Sequence, residues 1–223
     1  NEQLRRGYRL PEQLVEARGQ KKVLEEIAKY HQELEHISSS GSLDRETVVS
    51  RGQLVEIGGS FRVPAVMEYA GATLVEAGTT NRTRLSDYSE KLSEETGLLL
   101  KVHTSNYRVV GFTEEVTASD LAALGGEHHV PTAFDLGSGL LETETMTPLS
   151  LGDEPRVLEA VASGVDVVLF SGDKLFGGPQ AGFMVGKRRA VDALRDNPVY
   201  RALRCDKVTI AGLEETLKLY IAG

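Results

Sequence analysis

The stretch DVVLFSGDKLFGGPQAGFMVGK, residues 166–187, decides the fold. Residues 166–170 are an apolar run, too short for a helix and ended by a Gly-rich turn. Residues 183–185 resume the apolar pattern. Two such runs flanking a turn are strands that a sheet buries. The turn between them, 171–182, holds a single lysine, Lys174. A lysine there costs desolvation unless it has a partner or a task. Burial beside another group lowers the amine's pKa and makes it a nucleophile toward a carbonyl. The surrounding glycines let backbone approach a bulky flat ligand closely.

Outward from this stretch, short apolar runs alternate with helical periodicity. Strands are predicted at 47–50, 73–76, 98–103 and 132–135, with helices at 62–70, 86–92, 118–128, 155–163, 188–195 and 207–220. Ser86 or Asp87, Thr117 and Asp206 are the N-cap residues for three of these helices. Strands alternating with helices require crossover connections, and so a largely parallel, buried sheet. The class is α/β, and no internal repeat is present. Residues 12–36 read as a charged amphipathic helix, followed by a Ser/Gly linker, SSSGS at 38–42. The expected organisation is therefore an N-terminal helical segment and linker, 1–45, and a core, 46–223. The first residue is Asn1, not Met, as expected of a fragment or a processed chain.

In an open α/β sheet, ligands collect at the carboxyl ends of the strands. Three strand ends carry polar residues that a core does not require. One runs through His103 into Thr104, Ser105, Asn106 and Tyr107; the next carries Asp135 before Leu136, Gly137, Ser138 and Gly139; the third leads to Ser171 and Lys174. Each is about one strand–helix–strand unit from the next, so the three converge on one ligand. A carboxylate such as Asp135 at the end of a central strand pairs with a pyridinium nitrogen, keeps it protonated and turns the ring into an electron sink. Asn106 is placed to hydrogen-bond a ring hydroxyl, or else to stabilise its own loop. Ser171 either donates to a phosphate or caps its turn.

Composition narrows the setting. At 223 residues and 40% hydrophobic content the chain can bury a real core. No apolar run reaches the roughly 18 residues of a membrane span. Cys205 is the single cysteine, which excludes an intrachain disulfide and a Cys-based metal site and fits a reducing cytoplasm. No His/Asp/Glu spacing marks a metal centre, and neither a dinucleotide fingerprint nor a P-loop occurs. A net charge of −8 argues against nucleic-acid binding over the whole surface. Residues 187–207 nonetheless carry Lys187, Arg188, Arg189, Arg195, Arg201, Arg204 and Lys207, a local positive region that is otherwise a solvated helix face. Arg201 and Arg204 are three apart and so share one face of any helix there.

The order Asn, Asp, then Ser-x-x-Lys with following glycines resembles fold-type-I pyridoxal-phosphate enzymes. More narrowly, VVSRGQLVEIGGSFRVPAVMEYAGATLVEAGTTNRT (48–83), KVHTSNYRVVGFTEE (101–115), DLGSGL (135–140), SGDKLFGGPQAG (171–182) and YRALRCDKVTIAGLEETLKLY (200–220) resemble bacterial selenocysteine synthases, the seryl-tRNA selenium transferases. The resemblance runs from residue 46 to residue 220. It implies a three-layer, mostly parallel large domain, here incomplete, with pyridoxal 5'-phosphate as cofactor. Lys174 would carry the cofactor covalently and then move the seryl Cα proton, and Asp135 would hold the pyridine nitrogen. Asp173 would assist loss of the seryl hydroxyl or tune Lys174. Arg201 and Arg204 would bind the anionic selenium donor, Thr79 and Thr80 would sit near the substrate, and His103 or Tyr107 would contact the ring or the seryl group. The implied reaction converts seryl-tRNA(Sec) to selenocysteinyl-tRNA(Sec) with selenophosphate, by way of an aminoacrylyl species, in a homo-oligomer. Family members also carry a small-residue loop, before the position of Glu46, that grips the cofactor phosphate; a charged helix and the Ser/Gly linker stand there. Two other readings remain at this point: a β-eliminating lyase acting on a small amino acid or amino sugar phosphate, and a non-catalytic assembly or tRNA-binding remnant.

Overall fold

The structure is a computed structural model that describes residues 45–57, 61–141 and 154–222. All of these lie in one compact unit, Leu43–Gly223. The predicted helix at 12–36, the linker at 38–42 and the expected position of the phosphate loop lie outside the described residues.

The central sheet takes the strands β1 (Glu46–Ser50), β4 (Thr73–Ala77), β5 (Thr96–Val102), β6 (Thr132–Gly137), β7 (Val167–Ser171) and β8 (Gly182–Gly186), in the order β4-β1-β5-β6-β7-β8. The first five are mutually parallel, and β8 runs antiparallel to β7. Helices make the parallel crossovers: α1 (Val63–Tyr69), α3 (Ala118–His128) and α4 (Val157–Ala162) each precede the strand they deliver, and the short α2 (Leu85–Ser89) lies between β4 and β5. Only a turn separates β7 from β8. With no helix to carry the chain back across the sheet, the return must be antiparallel. α5 (Arg188–Asp196), α6 (Pro198–Leu203) and α7 (Lys207–Ala222) follow β8.

Every strand and helix predicted from residue 46 onward is present, with ends shifted by a few residues. Two elements were not anticipated. The hairpin β2 (Glu56–Ile57) and β3 (Phe61–Arg62) is two residues per strand, too short to show periodicity. α6 begins at Pro198, a residue that fits the first turn of a helix as well as a loop. Thr117 caps α3 by accepting from the Asp120 N–H at 3.1 Å, and Asp206 caps α7 through the N–H groups of Val208 and Thr209. At α2 the cap position is Arg84, not Ser86 or Asp87. Asp87 sits one turn in and accepts the Arg84 N–H at 2.7 Å.

The strands are buried on both faces, which explains their near-continuous apolar sequences. Val48 and Val49 are both fully buried although they point to opposite sides, one into a cluster with Leu99 and Leu121, the other into one with Leu100 and Ala133. A third cluster fixes the lysine-bearing turn. Phe176, 1% exposed, packs between Phe170, Phe183 and Tyr220, and the Tyr220 hydroxyl donates to the Phe176 carbonyl at 2.8 Å. Burying that ring contributes about 2 kcal/mol. The turn is further closed by Gly172 N–H to Ala181 O, Gly178 N–H to Gly172 O and Gly177 N–H to Lys174 O, at 2.7–2.9 Å. The site lysine is thus mounted on a rigid loop.

Candidate active site

β5, β6 and β7 are neighbours in the sheet, so their carboxyl ends open onto the same edge. Val102 pairs with Asp135, and Asp135 with Leu169, which brings His103, Asp135 and Ser171 to one level. The chain leaves β6 through Gly137 and Gly139, both with φ near +70°. A side chain at Gly139 would strike the Phe170 ring at 2.4 Å, so only glycine lets β6 and β7 stay paired there. At Gly137 the missing side chain leaves a small hollow. A Cβ at that position would lie 3.7 Å from Ser105 Oγ and 4.0 Å from Lys174 Nζ.

Asp135 is the half-buried carboxylate beside this hollow. One oxygen accepts the Gly137 N–H at 2.9 Å. Burial pushes its pKa up, while the Gly137 N–H, the Lys174 ammonium and His103 pull against that shift. The Lys174 amine lies 4.0 Å from the position a Gly137 Cβ would take, two residues along the chain from Asp135. Lys174 itself is exposed, contrary to the expectation of a buried amine. Asp173 is exposed beside it.

Other predicted site residues have structural partners. Asn106 Nδ2 donates to the Glu56 carbonyl at 2.8 Å, tying its loop to the β2–β3 hairpin. The Tyr107 hydroxyl donates to the Gly52 carbonyl. His103 N–H donates to the Asp135 carbonyl at 2.8 Å, and its imidazole Nε2 lies 3.4 Å from Glu154 Oε2. Thr79 and Thr80 lie at the end of β4, three places from β6 in the sheet order, where Thr79 Oγ1 donates to the Arg82 carbonyl. Within this chain they do not meet Asp135 and Lys174.

A cleft of about 1430 Å³ opens between the end of the sheet and α5–α7, lined among others by Asp135, Ser171, Arg204, Cys205 and Lys207. Arg204 therefore shares a cavity with Asp135. Arg201 does not line it. The expected helical pairing of the two arginines fails because α6 ends at Leu203 and Arg204 has extended backbone (φ −61°, ψ 141°). Part of the positive stretch is neutralised: Lys187 and Arg189 both reach Asp166, at 3.1 and 3.3 Å, and Arg195 reaches Asp192 and Asp196. Glu154 and Ser138 were not anticipated as site residues. Glu154 follows an acidic, Gly-containing stretch and reads as an ordinary acid ahead of a helix. No group of three or more His, Cys, Asp or Glu placed to hold a metal occurs among the described residues. None of the described helices is long and apolar enough to cross a membrane.

Comparison with known proteins bears directly on this arrangement. Residues 36–223 match the SelA family, L-seryl-tRNA selenium transferase. The chain belongs to the SelA family. It is 59% identical over 177 residues to the L-seryl-tRNA(Sec) selenium transferase of Maridesulfovibrio salexigens and 56% identical over 177 residues to that of Alkaliphilus metalliredigens, covering 79% of this chain in each case. It spans 38% of the length of those relatives. Among solved structures, D-glucosaminate-6-phosphate ammonia-lyase superposes with a TM-score of 0.65 at 26% identity, over 83% of this chain and 45% of that one. An aspartate aminotransferase from Thermotoga maritima gives 0.53 at 17% identity over 78% of this chain and 44% of that one, a likeness of fold.

The fold is that of the fold-type-I pyridoxal-phosphate aminotransferases and lyases, and the cofactor of this SelA chain is pyridoxal 5'-phosphate. The residues present fit that group. The hollow at Gly137, which a Cβ would fill, adjoins an amine and a carboxylate at the ends of adjacent strands. A primary amine to attach an aldehyde and an anion to face a ring nitrogen are the donor set the cofactor requires.

Proposed function

We propose that residues 46–223 are the catalytic core of a selenium transferase that converts seryl-tRNA(Sec) to selenocysteinyl-tRNA(Sec) with selenophosphate, in the cytoplasm and as a homo-oligomer. The observation that carries this reading is the placement of Asp135 and Lys174 beside the Gly137 hollow, inside a chain 52–59% identical to named selenium transferases.

When bound, pyridoxal 5'-phosphate supplies an electron sink for the pair left behind as a proton leaves the seryl Cα. The chain's own residues do the rest. Lys174 Nζ would hold the cofactor and would take the proton from the seryl Cα. The Asp135 carboxylate keeps the ring nitrogen protonated. The Gly137 N–H holds one of its oxygens, so the other is directed without further reorganisation. Asp173, beside the lysine, helps the seryl hydroxyl leave. Arg204, in the cleft with Asp135 and Ser171, binds the anionic selenium donor; a guanidinium fork suits phosphate-like anions. Ser171 donates to the cofactor phosphate, Asn106 and His103 border the ring, and Tyr107, Thr79 and Thr80 contact the seryl end of the substrate. Because Thr79 and Thr80 lie three strands away, they would serve a site completed by a second subunit.

An amino sugar phosphate lyase shares the fold at 26% identity, well below the relatives named as selenium transferases. The two readings separate in one assay. The protein incubated with pyridoxal 5'-phosphate and borohydride should yield a fixed adduct on the peptide containing Lys174. A separate sample, loaded with cofactor and not treated with borohydride, should turn over seryl-tRNA(Sec) with selenophosphate and leave free serine and glucosaminate 6-phosphate unchanged. Turnover of the small molecules without the tRNA would overturn the reading.

A further inference from the structure

From the geometry we infer that Glu154 is a positioning residue of the cofactor site, acting through His103. The inference rests on the reading above, that a cofactor ring occupies the space beside Asp135.

Glu154 lies far along the chain from both groups it touches, and the fold brings it back deliberately. Leu140 pairs with Arg156 in an isolated parallel bridge, and the Val157 N–H donates to the Leu140 carbonyl at 3.0 Å. That stitch places Glu154 beside the turn leaving β6. Its carboxylate then spans two elements. Oε1 accepts from the Ser138 hydroxyl, and Oε2 lies 3.4 Å from His103 Nε2. Ser138 is buried, and the side chains of His103 and Glu154 are only 22% and 19% exposed. A carboxylate withdrawn this far from water is retained only where its partners use it.

Its partners sit on either side of the hollow. Ser138 follows Gly137 directly, and the Gly137 conformation at φ +72° depends on where that turn is held. His103 continues β5 into the loop that carries Ser105, whose hydroxyl borders the same hollow, and the Ser105 N–H donates to the His103 carbonyl at 3.0 Å. The His103 N–H in turn donates to the Asp135 carbonyl. One carboxylate therefore bridges the β5 exit and the β6 exit, through the Ser138 hydroxyl on one side and the 3.4 Å contact with the His103 imidazole on the other. It touches neither the amine nor the reacting carbon.

A double-mutant cycle on cofactor binding tests this. The readouts are the dissociation constant for pyridoxal 5'-phosphate and the circular-dichroism band of the bound chromophore, measured on wild type, Glu154→Ala, His103→Ala and the double variant. Each single change should weaken binding by roughly tenfold and distort the band, and the double should be no worse than either, because contacting residues do not add. Glu154→Gln keeps the bridge to Ser138 without the charge and should recover most of the wild-type band. If Glu154→Ala fails to fold, the same cycle is run with Glu154→Met, which keeps the bulk and removes the acceptor, and His103→Ala. Additive losses, or an unchanged band in Glu154→Ala, would overturn the inference. Failure of the underlying reading looks different: wild type itself would then give no borohydride-fixed adduct on Lys174.

Discussion

Two corners of the same sheet edge are built from similar residues and behave differently. At the end of β4 and β1, the polar groups are absorbed by one another. Ser50 Oγ and Thr83 Oγ1 are 2.7 Å apart, the Tyr88 hydroxyl accepts the Ser50 N–H and donates to the Leu100 carbonyl, and Glu114 takes guanidinium groups from both Arg82 and Arg84. At the ends of β6 and β7, by contrast, the Lys174 amine is exposed and Asp135 sits half-buried beside a hollow. The first corner is a buttress. The second keeps reactive groups on a rigid mount, the condition for pre-organised chemistry.

The comparison is tested most severely at Lys174. Lys174→Ala should abolish covalent cofactor attachment and lower turnover by about 10²- to 10⁴-fold or more, with far-UV dichroism unchanged, because the turn is held by Phe176 and backbone bonds. Asp135→Asn comes next. It should still bind cofactor yet lose most proton abstraction from Cα, read as kcat. Its effect on stability should have the opposite sign. Burial raises the Asp135 pKa in the fold, so the ionised form is disfavoured at neutral pH and relief comes only as pH falls through that raised value. A neutral amide removes the penalty, and the melting temperature of the cofactor-free protein at pH 7 should rise. Unimpaired turnover in Asp135→Asn would remove the distinction between the corners.

How much of this was legible depended on period and length. The strand at 167–171 and the lysine turn could be read because an apolar run bounded by glycine has few alternatives. The parallel sheet followed from helices alternating with strands. The β2–β3 hairpin and α6 could not be read, one because two-residue strands carry no period, the other because Pro198 serves equally as a stop or as a first helical residue. At the site, Asp135 and Lys174 were legible because they are chemically out of place at the ends of apolar strands. Glu154 was not: its role comes from the Leu140–Arg156 bridge, a long-range pairing with no local signature. The separation of Thr79 and Thr80 from Lys174 within the chain could not be read for the same reason. Strand order, which sets their separation, is not written in spacing.

The buttress should respond in stability where the site responds in activity. Tyr88→Phe deletes a hydroxyl that serves two buried backbone groups, leaving the Ser50 N–H and the Leu100 carbonyl without it. Denaturant midpoints should fall by an amount equal to about 1–3 kcal/mol, with cofactor attachment at Lys174 retained.

The smallest effect belongs to Glu114→Gln, and it discriminates sharply because its sign depends on pH and salt. The hydrogen bond from Arg82 and the nearby Arg84 charge hold the Glu114 carboxyl below the usual range. A carboxyl whose folded pKa is depressed contributes stability above its unfolded value of about 4.3, and loses it as pH falls through the lower folded value. The substitution should therefore lower the melting temperature slightly at pH 7, do nothing at a pH below both values, and have little effect in high salt, which screens exposed pairs. A loss of cofactor attachment in Glu114→Gln at unchanged melting temperature would place the β4 corner within the active site and erase the contrast between the two.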